Sequence, residues 1–367
     1  MGVNAVAFPT FKPVDDELAQ ARIRDAKAAL GERLMILGHH YQREDVIHHA
    51  DCTGDSLKLS RMAANSNADY IVFCGVHFMA EVADILTRPE QIAILPDLAA
   101  GCSMADMANL AKVEKAWREL DQVLGNAEET ITPMTYINSA ADLKAFCGRH
   151  NGIVCTSTNA KQVVEWGFSQ AEKILFFPDQ HLGRNTAYKM GIPLEEMVVW
   201  DYELPMGGLT EDAIKNAKMI LWKGFCSVHQ MFKTDHIDSF LAQYPEGKII
   251  SHPEASFEVC QKSHYVGSTE YIIKTIADAA PGTQWLVGTE LNLVNRIAMN
   301  HKKDNKLVKF MAPTISMCST MFRINANQLA NTLESLVEGK VINQIKVDPA
   351  EAKQAVLALE RMFEVSP

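Results

Sequence analysis

The chain repeats one pattern of strand, polar turn and helix three times, and this repetition limits its possible folds more than any other feature. Each copy begins with an apolar stretch that ends in polar residues, which is typical of a buried strand followed by a functional turn. The three stretches are MILGHHY (35–41), MTYINS (134–139) and KIISHPE (248–254). Because internal repeats usually mark repeated structural units, we expect three related units.

Each copy continues with the same elements in the same order. A small hydroxylated cluster opens a helical pattern, and Ser, Thr and Asp are the residues that cap helix starts. The clusters are GDS (54–56), TST (156–158) and GST (267–269). Two further strand-like stretches follow in each copy, at 70–75 and 94–103, at 174–179 and 220–227, and at 284–290 and 308–319. The second stretch of each pair leads to a Cys-Ser dipeptide.

Buried strands that alternate with helices predict parallel sheets with βαβ connections, in which ligands bind beyond the carboxyl ends of the strands. We therefore expect an α/β protein of three related βαβ-type units with short parallel sheets around a pseudo-threefold axis and an active site at their junction. A generic α/β rhythm without threefold symmetry is the alternative. The middle copy is longer, and its Gly- and Pro-rich segment at 193–210 predicts a loop.

The repeat also sets the predicted domain boundaries. These are an N-terminal extension (1–20), α/β units at 21–120, 121–229 and 230–346, and a C-terminal helix (347–367).

Three of the eight cysteines, Cys102, Cys226 and Cys318, occupy the same position in every copy, at a strand end just before a helix. A helix N-terminus lowers the pKa of a cysteine thiol, which favours the thiolate. With pseudo-threefold symmetry the three sulfurs would meet near the axis. They could then bind zinc together with water, or an iron–sulfur cluster with one iron open to act as a Lewis acid. Structural cysteines are the remaining interpretation.

The other cysteines have no repeat equivalents, so we interpret them as packing residues. They are Cys52, Cys74, Cys147, Cys155 and Cys260. No cysteines form a close pair and no secretion signal is visible, so reduced thiols and a cytoplasmic location are expected.

Charge and hydropathy exclude several classes of partner. The formal net charge of −10 repels phosphate backbones, so nucleic acid is not an expected partner, although a local basic pocket could bind a small anion. No apolar run approaches the roughly 18 residues of a membrane helix. Residues 1–13 lack a signal peptide, and Val6 breaks the myristoylation pattern that Gly2 would begin.

An ordered set of motifs resembles the quinolinate synthase family, the A protein of bacterial NAD biosynthesis. The motifs are CGVHFMAE (74–81), PDLAAGCSM (96–104), PDQHLGR (178–184), CSVH (226–229), HPE (252–254), GST (267–269), GTE (288–290) and MCSTM (317–321). The resemblance covers residues 34–336. It implies three α/β units around a pseudo-threefold axis, with Cys102, Cys226 and Cys318 binding a [4Fe–4S] cluster that keeps one iron unligated by protein.

The resemblance also implies the reaction. The family condenses iminoaspartate with dihydroxyacetone phosphate, giving quinolinate, phosphate and water in de novo NAD biosynthesis. L-aspartate oxidase is the implied partner that supplies iminoaspartate. Two other functions stay open: an iron–sulfur hydro-lyase of the aconitase kind, which needs no phosphate site, and a non-catalytic redox or iron sensor, which needs a surface for its partner.

Matching motif positions imply roles for individual residues. Glu254, Tyr41 and His229 are the expected catalytic residues. The expected substrate-binding residues are His39, Ser56, Tyr136, Asn138, Ser157, His252, Glu254, Ser268 and Thr269. An apolar wall beside Glu254 would raise its pKa toward neutrality, which suits a proton shuttle. The alternative is structural: Tyr136 and His229 would be core residues, and the three serines would be helix caps.

Overall fold

The computed structural model describes residues 14–366. The strands are β1 (Leu34–His39), β2 (Cys52–Gly54), β3 (Tyr70–Cys74), β4 (Ile92–Ile94), β5 (Ile131–Tyr136), β6 (Ile153–Cys155), β7 (Lys173–Phe177), β8 (Met197–Trp200), β9 (Met219–Trp222), β10 (Lys248–Ser251), β11 (Tyr265–Val266), β12 (Gln284–Gly288), β13 (Leu307–Phe310) and β14 (Gln344–Ile345). The helices are α1 (Asp16–Leu30), α2 (Glu44–Ile47), α3 (Ser56–Ala64), α4 (His77–Leu86), α5 (Leu110–Leu124), α6 (Ala127–Thr130), α7 (Ala141–Arg149), α8 (Ala160–Gln170), α9 (Gln180–Lys189), α10 (Glu211–Asn216), α11 (Thr234–Gln243), α12 (Phe257–Lys262), α13 (Thr269–Asp278), α14 (Leu291–Asn300), α15 (Ala326–Val337) and α16 (Pro349–Val365). None of these helices is both long and apolar enough to cross a bilayer.

Three separate sheets contain these strands, so the predicted α/β class with short parallel sheets is confirmed. The strand orders are β14-β4-β3-β1-β2, β6-β5-β7-β9-β8 and β11-β10-β12-β13. Within the described residues every paired strand is parallel except β14, which runs antiparallel to β4. The core strands are covered on both faces: all residues of β5 and β7 are buried. This burial explains why the strands are continuous apolar runs rather than alternating patterns.

The three sheets share one strand order, which supports the repeat found in the sequence. In each copy the first strand lies between the second and the third, and the fourth lies beyond the third: β2-β1-β3-β4, β6-β5-β7-β9 and β11-β10-β12-β13. The middle sheet carries β8 as an additional edge strand, parallel to β9. The expectation of a loop at 193–210 is therefore wrong in part, because Met197–Trp200 satisfies its backbone groups on the sheet edge.

The chain divides into two compact units. The first contains the described residues up to 102 together with 318–346, and therefore the β1 sheet. Within it, α1 packs against α15, where the Arg22 guanidinium donates to the Glu334 carboxylate at 2.8 Å. Part of the predicted N-terminal extension is thus helical, while residues 1–13 lie outside the described residues.

The second compact unit contains residues 103–317 and 347 onward, and therefore the other two sheets. A C-terminal helix, α16, packs closely on α7: a Cβ on Gly148 would lie 1.9 Å from the Gln354 carbonyl oxygen. The Arg361 guanidinium also donates to the Gly152 carbonyl at 2.6 Å. The boundaries of three separate domains stay a prediction.

Candidate active site

The turn after β10 carries Glu254. The His252 N–H donates to the Gly288 carbonyl at 2.9 Å, which extends the strand pairing by one residue. The Ala255 N–H then donates back to the His252 carbonyl at 3.0 Å and closes the turn. Glu254 is only 4% exposed, so its carboxylate needs partners inside the protein.

Tyr136 and His229 supply those partners, and His252 lies beside them. The Tyr136 hydroxyl, at the end of β5, donates to Glu254 Oε1 at 2.6 Å. His229 Nδ1 lies 3.0 Å from Oε2, and His252 Nδ1 lies 3.8 Å from Oε1. The structure thus brings four of the predicted site residues into one buried cluster, at the carboxyl ends of two parallel sheets. We call Tyr136, His229, His252 and Glu254 the Glu254 cluster.

The pKa of Glu254 shifts in the opposite direction to our expectation. Burial alone would raise it, but the His229 ring at 3.0 Å and the Tyr136 hydroxyl at 2.6 Å outweigh burial and hold the pKa below its ordinary value. The expectation of a raised pKa was wrong because it considered burial without these partners. Glu254 is therefore ionised at neutral pH and can accept hydrogen bonds or stabilise a positive charge.

His252 is a neutral imidazole. Burial lowers its pKa to about 3, although the Glu254 charge opposes the shift. Its Nδ1 also accepts the Glu254 N–H at 3.4 Å, which requires that nitrogen to be unprotonated. The 3.8 Å approach to Oε1 is consequently not an ion pair. The His252 ring stacks on the His229 ring with centroids 4.8 Å apart.

Cys226 lies beside this cluster. Its sulfur, a ring nitrogen of His229 and a carboxylate oxygen of Glu254 all lie within 4.8 Å of one another. Thiolate, imidazole and carboxylate are all metal ligands, so this corner of the second unit can hold a metal. Cys226 itself is partly exposed, in contrast to its two neighbours.

The three predicted metal-binding cysteines have matching local structure. Cys102, Cys226 and Cys318 each precede, by three residues, a single turn of 3₁₀ helix (Ala105–Met107, His229–Met231 and Met321–Arg323). Each also stands eight residues before an α-helix: α5, α11 and α15. The expectation that a helix starts directly after the cysteine was wrong, because the 3₁₀ turn intervenes, and the helix-dipole argument for a thiolate is lost with it.

Exposure separates these cysteines from most of the others. Cys102, Cys226 and Cys318 are partly exposed, whereas Cys74, Cys147, Cys155 and Cys260 are buried. Burial raises the pKa of all four buried thiols, to about 12 for Cys74 and Cys260, so these thiols stay protonated. No cysteine in the described part of the chain is in a disulfide. The three repeat-related thiols are donors of the kind that zinc and iron–sulfur clusters bind.

Gly224 permits the close packing of the Cys226 loop. The Gln180 N–H donates to the Gly224 carbonyl at 3.0 Å, beside a parallel bridge between Asp179 and Gly224. A Cβ on Gly224 would lie 2.1 Å from the Pro178 carbonyl oxygen. Because that oxygen belongs to the backbone, it cannot move aside as a flexible side chain would.

We predict that Gly224→Ala destabilises the protein by about 1–3 kcal/mol, the usual cost of overpacking. The free energy of unfolding from denaturant titration measures the effect. The matched control is Gly101→Ala, one residue before Cys102, where a Cβ would meet nothing within 4 Å. Equal stability of the two variants would contradict the packing argument.

The hydroxylated clusters lie beside the ends of the first strands. The register pairs His39 with Gly54 and Tyr136 with Cys155. In the third copy the Gly267 N–H donates to the Ser251 carbonyl at 3.2 Å. Each cluster is therefore held next to the polar turn of its own copy, as the repeat predicts.

Helix capping distinguishes the three serines. Ser268 caps α13, since its Oγ accepts the Tyr271 N–H at 3.4 Å. Ser56 is the first residue of α3, whose cap is Asp55. Ser157 precedes α8 by three residues, and Asn159 occupies the N-cap position there. The capping alternative therefore holds for Ser268 alone, and the Ser56 and Ser157 hydroxyls do not cap these helices.

Two predicted binding residues carry buried polar atoms that the protein leaves unsatisfied. Asn138 Oδ1 and Thr269 Oγ1 have no hydrogen-bond partner among the described residues. Asn138 lies two residues after Tyr136, and Thr269 is the first residue of the ten-residue helix α13. Because buried polar atoms normally have partners, these two atoms are available to bind a ligand.

The first unit holds the remaining predicted residues, His39, Tyr41 and Ser56. The His39 and Tyr41 rings meet edge-on with centroids 4.8 Å apart. The Tyr41 N–H donates to His39 Nδ1 at 3.2 Å, which repeats the contact between Glu254 N–H and His252 Nδ1. The first and third copies thus use a histidine at the strand end in the same way.

Sequence reasoning assigned no role to Asp179, although it lies in the PDQHLGR motif. Its Oδ1 accepts the N–H groups of His181 at 2.7 Å and Leu182 at 2.9 Å, at the start of α9. Burial and the Glu254 charge raise its pKa well above the ordinary value, against these two N–H groups. The second unit therefore contains two buried carboxyl groups with opposite pKa shifts, a pattern typical of acid–base sites.

Thr289 and Asn185 were also missed. Thr289 is fully buried, and its Oγ1 lies 3.5 Å from His229 Nε2. Asn185 contacts the backbone of the Glu254 turn. Each lies within or beside a recognised motif, GTE and PDQHLGR, which is the signal that could have revealed them.

Known proteins are similar to this chain over nearly its whole length. The family described as "Quinolinate synthetase A protein" matches residues 21–364. A quinolinate synthase of Rhodopirellula baltica is 51% identical, with 97% of this chain and 93% of the relative covered. Quinolinate synthases of Herpetosiphon aurantiacus and Anoxybacillus flavithermus are each 53% identical; 96% of this chain is covered in both comparisons, with 93% and 95% of the relatives.

Proposed function

The chain belongs to the quinolinate synthetase A protein family of enzymes, and from this membership we propose that it condenses iminoaspartate with dihydroxyacetone phosphate to form quinolinate. The atoms of the two substrates balance when phosphate and two molecules of water leave. The reaction therefore needs binding sites for two carboxylates and a phosphate. It also needs groups that transfer protons and a group that stabilises the oxygen that leaves.

One observation supports the proposal: a thiol that could ligate a metal lies next to a buried, ionised carboxylate. The Cys226 sulfur is within 4.8 Å of the Glu254 carboxylate and the His229 ring. A group held by Cys226 would therefore be adjacent to a base. This combination fits dehydration chemistry, in which a proton and an oxygen leave the same intermediate.

Cys102, Cys226 and Cys318 would hold a [4Fe–4S] cluster. The support is their identical spacing to a 3₁₀ turn and an α-helix, together with their partial exposure. When bound, such a cluster supplies a Lewis acid at the iron that no cysteine ligates.

The substrates' charged and polar groups would be bound by the unsatisfied atoms and helix ends near the Glu254 cluster. Thr269 Oγ1 and the first N–H groups of α13 are donors for a carboxylate or phosphate. Asn138 Oδ1 is an acceptor for a substrate N–H or O–H. We also propose that Ser56, Ser157, Ser268, His39 and Tyr41 contribute to binding, as the family motifs imply.

Proton transfer would centre on Glu254. As a carboxylate it can accept a proton from the bound intermediate, and the Tyr136 hydroxyl at 2.6 Å stabilises its charge. Neutral His252 can form a hydrogen bond with the substrate without adding a charge to the Glu254 cluster. His229 and Tyr41 are the other candidate acids. A cytoplasmic location and supply of iminoaspartate by L-aspartate oxidase belong to the same proposal.

An anaerobic assay of the purified protein tests the function. Iminoaspartate formed in solution from oxaloacetate and ammonia is mixed with dihydroxyacetone phosphate, and quinolinate and phosphate are measured together. We expect equal amounts of the two products, and no quinolinate when either substrate is omitted. Dehydration of a single carboxylate substrate would instead indicate a hydro-lyase, and absence of all turnover with intact iron would favour a sensor.

A further inference from the structure

Asn185 lies on α9, in the helix that follows β7 of the middle sheet, and it is 6% exposed. Its side chain reaches the turn after β10, which belongs to the other sheet of the same compact unit. Asn185 Nδ2 lies 2.9 Å from the carbonyl oxygen of Pro253 and 2.9 Å from that of Ala255. These two carbonyls flank Glu254 on either side.

The orientation of the amide is fixed by these contacts. A carboxamide has two N–H hydrogens on one nitrogen, so Nδ2 can donate to both carbonyls at once. The flipped amide would place Oδ1 against two carbonyl oxygens, which repel it. One side chain therefore satisfies both backbone acceptors beside Glu254.

Cys260 adds a second contact to the same turn. Its sulfur lies 3.2 Å from Asn185 Nδ2, 3.6 Å from the Ala255 carbonyl oxygen and 3.8 Å from the His252 carbonyl oxygen. Our interpretation of Cys260 as a packing residue is thus refined: it packs beneath the turn that carries Glu254.

We propose that Asn185 is a positioning residue, which fixes the Glu254 carboxylate against Tyr136 and His229 by holding the Pro253 and Ala255 carbonyls. The proposal deepens the proposed function and rests on it. A backbone shift at this turn would move Glu254 directly, because Glu254 lies between the two anchored peptide groups. A misplacement of about 1 Å can cost roughly 10²-fold in rate.

The test variant is Asn185→Leu, which keeps the approximate size of the side chain and removes both donors. We expect kcat to fall by about 10- to 100-fold with KM changed by less than about twofold, because the binding atoms of Asn138 and Thr269 lie on other turns. Iron content should be unchanged. If Asn185→Leu does not fold, Asn185→Ala removes both donors without adding a larger or charged group at this site.

The chain offers a matched control in Gln91. Its Nε2 donates to the carbonyls of Ser66 at 3.0 Å and Ala68 at 2.7 Å, again two residues apart, and it is also 6% exposed. Gln91 precedes β4, at the amino end of that strand, away from the polar turns of its sheet. Gln91→Met should lower the melting temperature as Asn185→Leu does, but should leave turnover within about twofold of the original enzyme.

A double variant separates positioning from general damage. Asn185→Leu combined with Glu254→Gln should be no slower than Glu254→Gln alone, because Asn185 acts through Glu254. Multiplied losses would overturn the proposal, as would a turnover of Asn185→Leu equal to that of Gln91→Met.

A crystal structure of Asn185→Leu provides a readout that needs no turnover. We expect the Tyr136 hydroxyl and Glu254 Oε1 to separate beyond hydrogen-bonding distance, about 3.5 Å. An unchanged 2.6 Å contact would overturn the positioning role even if the enzyme proved to catalyse another reaction. An unaltered enzyme that forms no quinolinate would refute the proposed function alone.

Discussion

Replacing Cys226 with alanine is expected to abolish the proposed iron–sulfur cluster and the activity. If Cys102, Cys226 and Cys318 are the three protein ligands, the anaerobically purified enzyme should be brown and contain about four iron and four sulfide per chain. Removing one of three thiolates leaves two, which do not retain a cluster of this kind. Iron and sulfide analysis with visible absorption spectra measures the loss, and Cys102→Ala and Cys318→Ala should behave identically.

Cys52→Ala is the matched control for this loss. Cys52 is partly exposed, as the three proposed ligands are, but it lies on β2 and has no equivalent in the other copies. Its replacement should leave iron and sulfide unchanged, as should Cys147→Ala in the core. Cluster loss in either control, with a retained cluster in Cys226→Ala, would refute the ligand assignment.

His229→Ala distinguishes the two metal sites that Cys226 could serve. Cys226, His229 and Glu254 could together bind a single metal ion, since their ligand atoms lie within 4.8 Å. Such a site would contain no sulfide and would lose its metal in His229→Ala. The three-thiolate site predicts that His229→Ala keeps its iron and sulfide and loses turnover only.

The sequence predicted the sheets well because buried parallel strands are recognisable as apolar runs. Strands buried on both faces, such as Ile131–Tyr136 and Lys173–Phe177, are mostly apolar with no regular alternation, so each is visible in the sequence as an apolar run. The threefold repeat then fixed which residues follow each strand. The edge strand Met197–Trp200 was not predicted, because it is short and only half-buried and lies within a Gly- and Pro-rich segment.

The electrostatics of the site could not be predicted in the same way. The low pKa of Glu254 depends on Tyr136 and His229, which come from other parts of the chain. Burial of a carboxyl can be inferred from a strand end, but the sign of the pKa shift depends on partners that only the packing of two sheets brings together.

The sequence also did not predict contacts between a side chain and the backbone of a distant turn. Asn185 is about 70 residues from the turn it holds, and the adjacent motif marks its neighbourhood without revealing that contact. The motif around it, PDQHLGR, was recognised as a pattern without a physical role. The structure supplies that role for its neighbourhood: Asp179 caps α9, and α9 presents Asn185 to the other sheet.

Glu254→Gln is expected to lower turnover by roughly 10²–10⁴-fold, the usual contribution of a positioned acid–base group, while the cluster and substrate binding persist. Glutamine keeps an oxygen that can accept the Tyr136 hydrogen bond, and Asn185 still holds the turn, so the geometry should survive. What is lost is the negative charge and the ability to take a proton. Quinolinate formation and iron content measured on one preparation check the prediction.

The direction of the Glu254 pKa shift adds a pH signature to this variant. Because the pKa lies below its ordinary value, the carboxylate is fully ionised from neutral to alkaline pH, and the ratio of original to variant turnover should stay constant there. Glu258→Gln, an exposed carboxylate four residues further on, is the matched control and should be nearly silent. Near-normal turnover of Glu254→Gln with an intact cluster would mean that Glu254 only accepts the Tyr136 hydrogen bond. Asp179 and His252 would then be the remaining candidates for the catalytic acid or base.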